Sequence, residues 1–159
     1  MTGAPRVKTV IAFALTIALA ACATTSRTPA PPPKSSTAAA SMVGAAKSML
    51  GQPYRFGGAA PGGFDCSGLV QYAADRAGVH MPRTAREQLG TGKPVARREL
   101  RAGDLIFMRL AHRELHVAIA IDRERFIHAP SRGGHVRIDS LLAAPYAKGY
   151  LGARRVTAP

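Results

Sequence analysis

A run of 12 residues from Val10 to Ala21, apolar except for Thr16 and preceded by Arg6 and Lys8, withholds the start of this chain from any globular core. It is too short to span a membrane as a helix, which needs roughly 20 apolar residues. Its charged start, apolar middle and small-residue end are those of a secretory signal over residues 1–21. Residues 22–40 follow, containing Thr28-Pro-Ala-Pro-Pro-Pro-Lys-Ser-Ser36, with enough proline to stay extended and too little apolar surface to offset the entropy of folding. They read as a disordered tether. Residues 41–156 remain, enough for one domain, and a composition of 47% hydrophobic and 19% charged residues suits a single packed core.

The segment Leu19-Ala20-Ala21-Cys22 resembles the lipobox of bacterial lipoproteins, which implies that Cys22 is lipidated on its thiol and becomes the mature N-terminus. Ala23 resembles an outer-membrane address. The expectation is an exported protein anchored in the envelope by lipid and, in a Gram-negative cell, held on the outer membrane facing the periplasm. The formal net charge of +13 attracts polyanions, and losing Arg6 and Lys8 with the signal lowers it by two to +11. Export separates the chain from nucleic acid, so membrane or wall anions are the expected partners of this charge.

The chain has two cysteines, and in an oxidising compartment the plain expectation is a disulfide. Lipidation of Cys22 removes that option and leaves Cys66 alone, either buried and inert or reactive. Cys66 lies in Gly62-Gly-Phe-Asp-Cys-Ser-Gly-Leu-Val70, where Asp65 is a good N-cap, Phe64 and Leu69 occupy the staple positions, and Gly78 can end the helix in the left-handed conformation. Cys66 therefore opens a helix. There the dipole and unpaired N–H groups are expected to lower its pKa, and the same N–H groups can hold an oxyanion. On local sequence alone, a catalytic and a structural cysteine both remain open.

A nucleophilic thiol needs an imidazole base and a group to orient that ring. Among five histidines, His116 opens His116-Val-Ala-Ile-Ala-Ile-Asp122, in which Leu115, Val117, Ile119 and Ile121 alternate with His116, Ala118 and Ala120. This is a buried strand, and the alanines leave room on the histidine face for the Cys66 helix to pack across it. After a polar turn, Phe126-Ile-His128 forms a second strand. The two histidines, twelve residues apart, share a face only if the hairpin loop holds an odd number of residues. A three- or five-residue loop would let His128 fix the tautomer of His116. His112 and His116 bracket Arg113-Glu-Leu115, but the glutamate is misplaced for a zinc motif, so no metal is expected. His80 and His112 read as exposed loop residues, Arg83 as surface or substrate-facing, and Arg154 and Arg155 as a solvated tail.

Together these residues resemble the NlpC family of bacterial cell-wall cysteine peptidases, which are papain-like. The matching parts run in family order: Gly51-Gln-Pro-Tyr-Arg-Phe-Gly-Gly58, Phe64-Asp-Cys-Ser-Gly-Leu-Val70, Pro82-Arg-Thr-Ala85 with Gln88, Ala102-Gly-Asp-Leu-Ile-Phe107, His116-Val-Ala-Ile119 and Phe126-Ile-His-Ala-Pro130. The resemblance implies an α+β fold with N-terminal helices packed against an antiparallel β-sheet. It implies Cys66 as nucleophile, His116 as base and His128 as the third polar residue. It also places Tyr54 beside the nucleophile as oxyanion support, and Asp65 and Ser67 near the amino end of the stem peptide. Helices are expected near Thr37–Leu50, Cys66–Ala77 and Ala85–Leu89, and strands near Leu105–Leu110, Leu115–Ile121, Arg125–His128 and Val136–Ile138.

The implied activity is a peptidoglycan endopeptidase that hydrolyses the γ-D-glutamyl–diamino acid amide of cell-wall stem peptides through a thiolate paired with protonated His116, without a cofactor. Two rivals stand beside it: another thiol-dependent amidase or acyltransferase on the same fold, and a non-catalytic wall-binding lipoprotein, which would have no need of Cys66, His116 and His128 together. No room remains for a wall-binding module, so the lipid anchor, or a protein regulator or localiser, is expected to supply location.

Overall fold

Ser41 to Ala46 carry the face of a helix that the computed structural model places at Lys34–Lys47 (α1), with Ala38, Met42, Val43 and Ala46 buried at helical spacing. The structure describes residues 1–3, 34–110, 114–131 and 134–156. The signal from residue 4 onward, Cys22 and His112 lie outside the described residues. The helix begins inside the stretch read as a tether, because Ala38 has a core position to fill, and it ends at Lys47, short of Leu50, in a turn. No helix of the described residues is long and apolar enough to cross a membrane.

A small hairpin, Ala59–Ala60 (β1) with Gly63–Phe64 (β2), leads into the helix Cys66–Arg76 (α2). That helix stops where the sequence says it should. Gly78 sits at φ 71°, and the Val79 N–H turns back to the Ala74 carbonyl. A short helix, Ala85–Leu89 (α3), starts with a complete capping box between Thr84 and Glu87.

The strands Lys93–Val95 (β3), Leu105–Arg109 (β4), Leu115–Ala120 (β5), Arg125–His128 (β6) and Arg137–Ser140 (β7), a helix Ala144–Gly149 (α4) and a final strand Tyr150–Arg155 (β8) complete the chain. Among the described residues, six strands form one antiparallel sheet in the order β3-β8-β4-β5-β6-β7. The fold is α+β, with helices against an antiparallel sheet.

Both faces of the sheet are covered, and alternation decides which residue goes where. Phe107, Val117, Ile119 and Ile127 lie under α1 and α2, with Leu69, Val70 and Ala73. Ile106, Met108, Ala118, Ala120 and Phe126 point the other way, to Leu100, Leu141 and Tyr146. This corrects one expectation: the Cys66 helix packs on the Val117 face, not the alanine face. Ala118 and Ala120 make room instead for Phe126 and Tyr146, whose bulk comes from segments that are distant in sequence.

The C-terminal arginines are also not a solvated tail. Arg155 ends β8 and donates through Nε to Asp104 Oδ1 at 2.7 Å and through a second nitrogen to Oδ2 at 2.8 Å, tying the last strand to a fully buried carboxylate. Nothing in the local sequence around Arg155 marks it as a strand end, since its partner lies 51 residues away.

Candidate active site

The Asp65 carboxylate organises the start of α2. Its Oδ1 accepts from the Gly68 N–H at 2.7 Å, the Ser67 hydroxyl at 3.2 Å and Arg83 at 3.0 Å, and its Oδ2 accepts from Arg83 at 2.6 Å and the Gly57 N–H at 3.0 Å. Burial alone would raise its pKa, but the Arg83 guanidinium and the Gly68 and Gly57 amides outweigh that and hold the carboxyl below its ordinary value. Arg83 also donates to the Ser67 hydroxyl at 3.0 Å, so Asp65, Ser67 and Arg83 form one closed network.

The loop before the hairpin is locked to the same helix end. The Asp65 N–H donates to the Gly58 carbonyl at 3.0 Å, and a Cβ at Gly68 would stand 2.0 Å from that oxygen, so only glycine permits the approach. Tyr54 sits in this loop, half-buried against the core, with its N–H bonded to the Gly134 carbonyl at 2.8 Å and its backbone bridged to Phe64.

Cys66, a partly buried free thiol packed against the core, is thus held at the first turn of α2 beside this network. The backbone amides of Val117, Ser67 and Cys66 act on its sulfur to lower its pKa. The Val117 amide is available because of the sheet. Ala120 donates to Asp104 on the β4 side and Ile121 to Arg125 on the β6 side, so the alternate amides 119 and 117 also face β6. The β5–β6 pairing includes Ile119↔Ile127 and Ala120↔Phe126 and does not reach Val117. The Val117 amide is thus left by β6 and is among the amides that act on the thiol.

The loop between β5 and β6 brings the histidines together. Three residues separate Ile121 from Arg125, whose carbonyl accepts the Ile121 N–H at 2.8 Å, so the loop has the odd parity that puts His116 and His128 on one face. His116 Nε2 lies 2.8 Å from His128 Nδ1, and both rings are buried. The Nδ1 of His116 is therefore the nitrogen left for chemistry, and it belongs to the residue next to the amide that holds the thiol.

Beyond His128 the line continues to Asp139, which the sequence reading missed. His128 Nε2 lies 2.8 Å from Asp139 Oδ2, and the same oxygen accepts from the Tyr146 hydroxyl at 2.5 Å and Arg137 Nε at 2.9 Å. Register explains this, because His128 pairs with Arg137 and Asp139 falls on the diagonal of the same face. Only the extent and register of β7, read as Val136–Ile138, would have signalled it. Arg83 was left undecided in the sequence for a similar reason: its carboxylate partner is 18 residues away.

The charges are arranged for a neutral resting pair. Burial pushes the Cys66 thiol up; the Val117 N–H opposes this, while the nearby Asp65 charge adds to it. Burial, with the neighbouring His128, pulls His116 down to about 3. The expected lowering of the thiol pKa by the helix end is thus reversed, because desolvation outweighs the dipole and the amides. A neutral imidazole can accept a thiol proton during attack, and unpaired N–H groups at a helix start can stabilise the charge that develops.

A protein-family model described as the NlpC/P60 family matches residues 51–155. The chain belongs to the NlpC/P60 family. Relatives include Murein DD-endopeptidase MepH of Escherichia coli K12, 43% identical over 116 residues that cover 69% of this chain and 43% of that protein. Murein DD-endopeptidase MepS/Murein LD-carboxypeptidase of the same organism is 41% identical over 107 residues, 67% of this chain and 56% of the relative. The chain thus spans about half the length of these relatives. Among solved structures, an NlpC/P60 family protein from Bacillus cereus superposes with a TM-score of 0.70 at 34% identity, covering 76% of this chain and 40% of that one. The peptidoglycan hydrolase RipB of Mycobacterium tuberculosis gives 0.68 at 28% identity, covering 80% and 69%.

Proposed function

We propose that this chain is a peptidoglycan hydrolase of the cysteine type, acting on an amide of cell-wall stem peptides. The observations that carry the reading are a free thiol at the first turn of α2 and, on β5, an imidazole whose Nε2 is held by His128 so that Nδ1 is left for chemistry. Cys66 Sγ attacks the carbonyl carbon while its proton passes to His116 Nδ1 and the carbonyl electron pair moves onto oxygen. The Cys66 and Ser67 amides, with Tyr54 beside them, receive that oxygen. His116 then protonates the leaving amine, and water, deprotonated by the same ring, releases the acyl group.

The bond we assign is the γ-D-glutamyl–diamino acid amide, on the family resemblance of the site residues. A second reading, a cross-link between D-residues, is favoured by the names of the relatives at 41–43% identity. Ser67 and Asp65 border the site, but with the Asp65 carboxylate engaged by five donors its part is to hold Arg83 and the helix end. The leader and Cys22 support an exported, lipid-anchored protein.

The test is mass spectrometry of purified muropeptides incubated with the full chain in detergent, beside Cys66→Ala. Fragments split after γ-D-glutamate with the intact thiol alone support the first bond, and monomers from cross-linked dimers support the second. Hydrolysis retained in Cys66→Ala would sink the cysteine mechanism, and no product from either chain would favour a non-catalytic wall-binding role.

A further inference from the structure

We propose that Asp139, clamped by Arg137 and Tyr146, is a positioning residue that sets the tautomers of both histidines and balances the charge that His116 acquires during attack. The inference rests on the cysteine-hydrolase reading above. Its physical basis is a chain of forced donor and acceptor choices. An ionised carboxylate only accepts, so the 2.8 Å contact requires the hydrogen of His128 on Nε2. His128 Nδ1 is then an acceptor, and the 2.8 Å contact to His116 requires a hydrogen on His116 Nε2. That leaves a lone pair on His116 Nδ1, the state a base needs. Were Asp139 a donor, both tautomers would reverse, and His116 Nδ1 would carry a hydrogen and could not take the thiol proton.

The clamp keeps the carboxylate ionised. Burial favours its neutral form, but the donors Tyr146, Arg137 and His128 prevail and hold it at about 2. The groups facing His128 are Asp139 and Arg137 from β7, Tyr146 from α4 and His116 from β5, with the apolar ring of Phe126 5.0 Å away. Burial pulls His128 to about 4 despite the attraction of Asp139. His128 is thus neutral at rest, and no proton need move to Asp139. When the thiol proton reaches His116, the line carries a cation, a neutral ring and an anion in order.

Exchanging these three side chains one at a time predicts opposite effects. Asp139→Asn removes the anion, making the histidine pair harder to protonate. Its acidic limb in kcat/KM should move to lower pH, while kcat falls about 100-fold at unchanged KM, less than the roughly 10⁴-fold seen when the carboxylate touches the base itself. Tyr146→Phe and Arg137→Gln keep the anion but strip a donor from it, so the carboxylate pulls harder on the His128 proton. Their acidic limb should move to higher pH with a loss of only a few-fold. Asp139→Glu should recover part of the activity.

The assay is the pH profile of muropeptide hydrolysis by the full chain, with melting curves to confirm folding. Ring ¹⁵N shifts of His116 and His128 add a readout independent of turnover, with Nε2–H expected in both rings. Limb shifts in one direction for all three variants, an unchanged Asp139→Asn profile, or Nδ1–H on His128 would overturn the proposal. Activity surviving in Cys66→Ala would instead remove the underlying mechanism. Should Asp139→Asn not fold, the other two variants and the ring shifts decide.

Discussion

Replacing Asp65 by alanine should cost stability before it costs substrate binding. The carboxylate caps α2 through Gly68, accepts from Gly57 and Ser67, and pairs with Arg83 through both oxygens. Losing an N-cap costs about 1 kcal/mol. Losing the charged hydrogen bonds to Arg83 adds about 1–2 kcal/mol, taken at the low end because 36% of the Arg83 side chain is exposed. The sum, about 2–3 kcal/mol, lowers Tm by about 10 °C for a domain of this size. Asp65→Asn separates the parts, since asparagine caps well but has no charge; its loss should be about half as large. The sign with pH follows from the depressed pKa of Asp65. The stabilisation is present above the unfolded value and is lost as pH falls through the folded value, so the gap between wild type and Asp65→Ala should close in acid. Thermal melts from pH 7 down to pH 3 measure it. An alanine variant within 3 °C of wild type but with a greatly raised KM would refute the argument and return Asp65 to substrate recognition.

Three further outcomes are expected. Alkylation of Cys66 by iodoacetamide, followed by mass, should go on rising with pH past the ordinary thiol value; a plateau below pH 7 would contradict the neutral pair. Gly68→Ala should displace the Gly58 loop, because its Cβ would meet the Gly58 oxygen at 2.0 Å, and lower kcat/KM at least 10-fold; a crystal structure with that loop unmoved would show the clash is absorbed elsewhere. Arg155→Ala should destabilise by about 2 kcal/mol by leaving the buried Asp104 carboxylate with the Arg101 N–H and without its charged partner, and an unchanged urea midpoint would deny the pair that role.

The elements that the sequence resolves best are those with local instructions. Asp65, Phe64, Leu69 and Gly78 punctuate α2, and the observed helix starts at Cys66 as they require. Thr84 and Glu87 start α3, and odd parity in the Asp122 turn aligns His116 with His128. By contrast, β3, β8 and α4 carry short or mixed patterns and become visible only once their partners are in place. Lys93–Val95 is a strand because Ala153–Arg155 lies beside it.

The sequence alone therefore determined the helix that presents Cys66 and the condition, an odd hairpin loop, under which the two histidines share a face, because caps and strand alternation act over a few residues; the class of fold came with the family resemblance. The tertiary structure decided which sheet face the helix covers, that the β5–β6 pairing stops short of Val117, and that Asp139, Tyr146 and Arg137 stand behind His128. It also decided the sign of the thiol pKa. Local sequence sees the helix dipole, but desolvation is a property of everything packed around the sulfur, and only assembly of the sheet and helices supplies it.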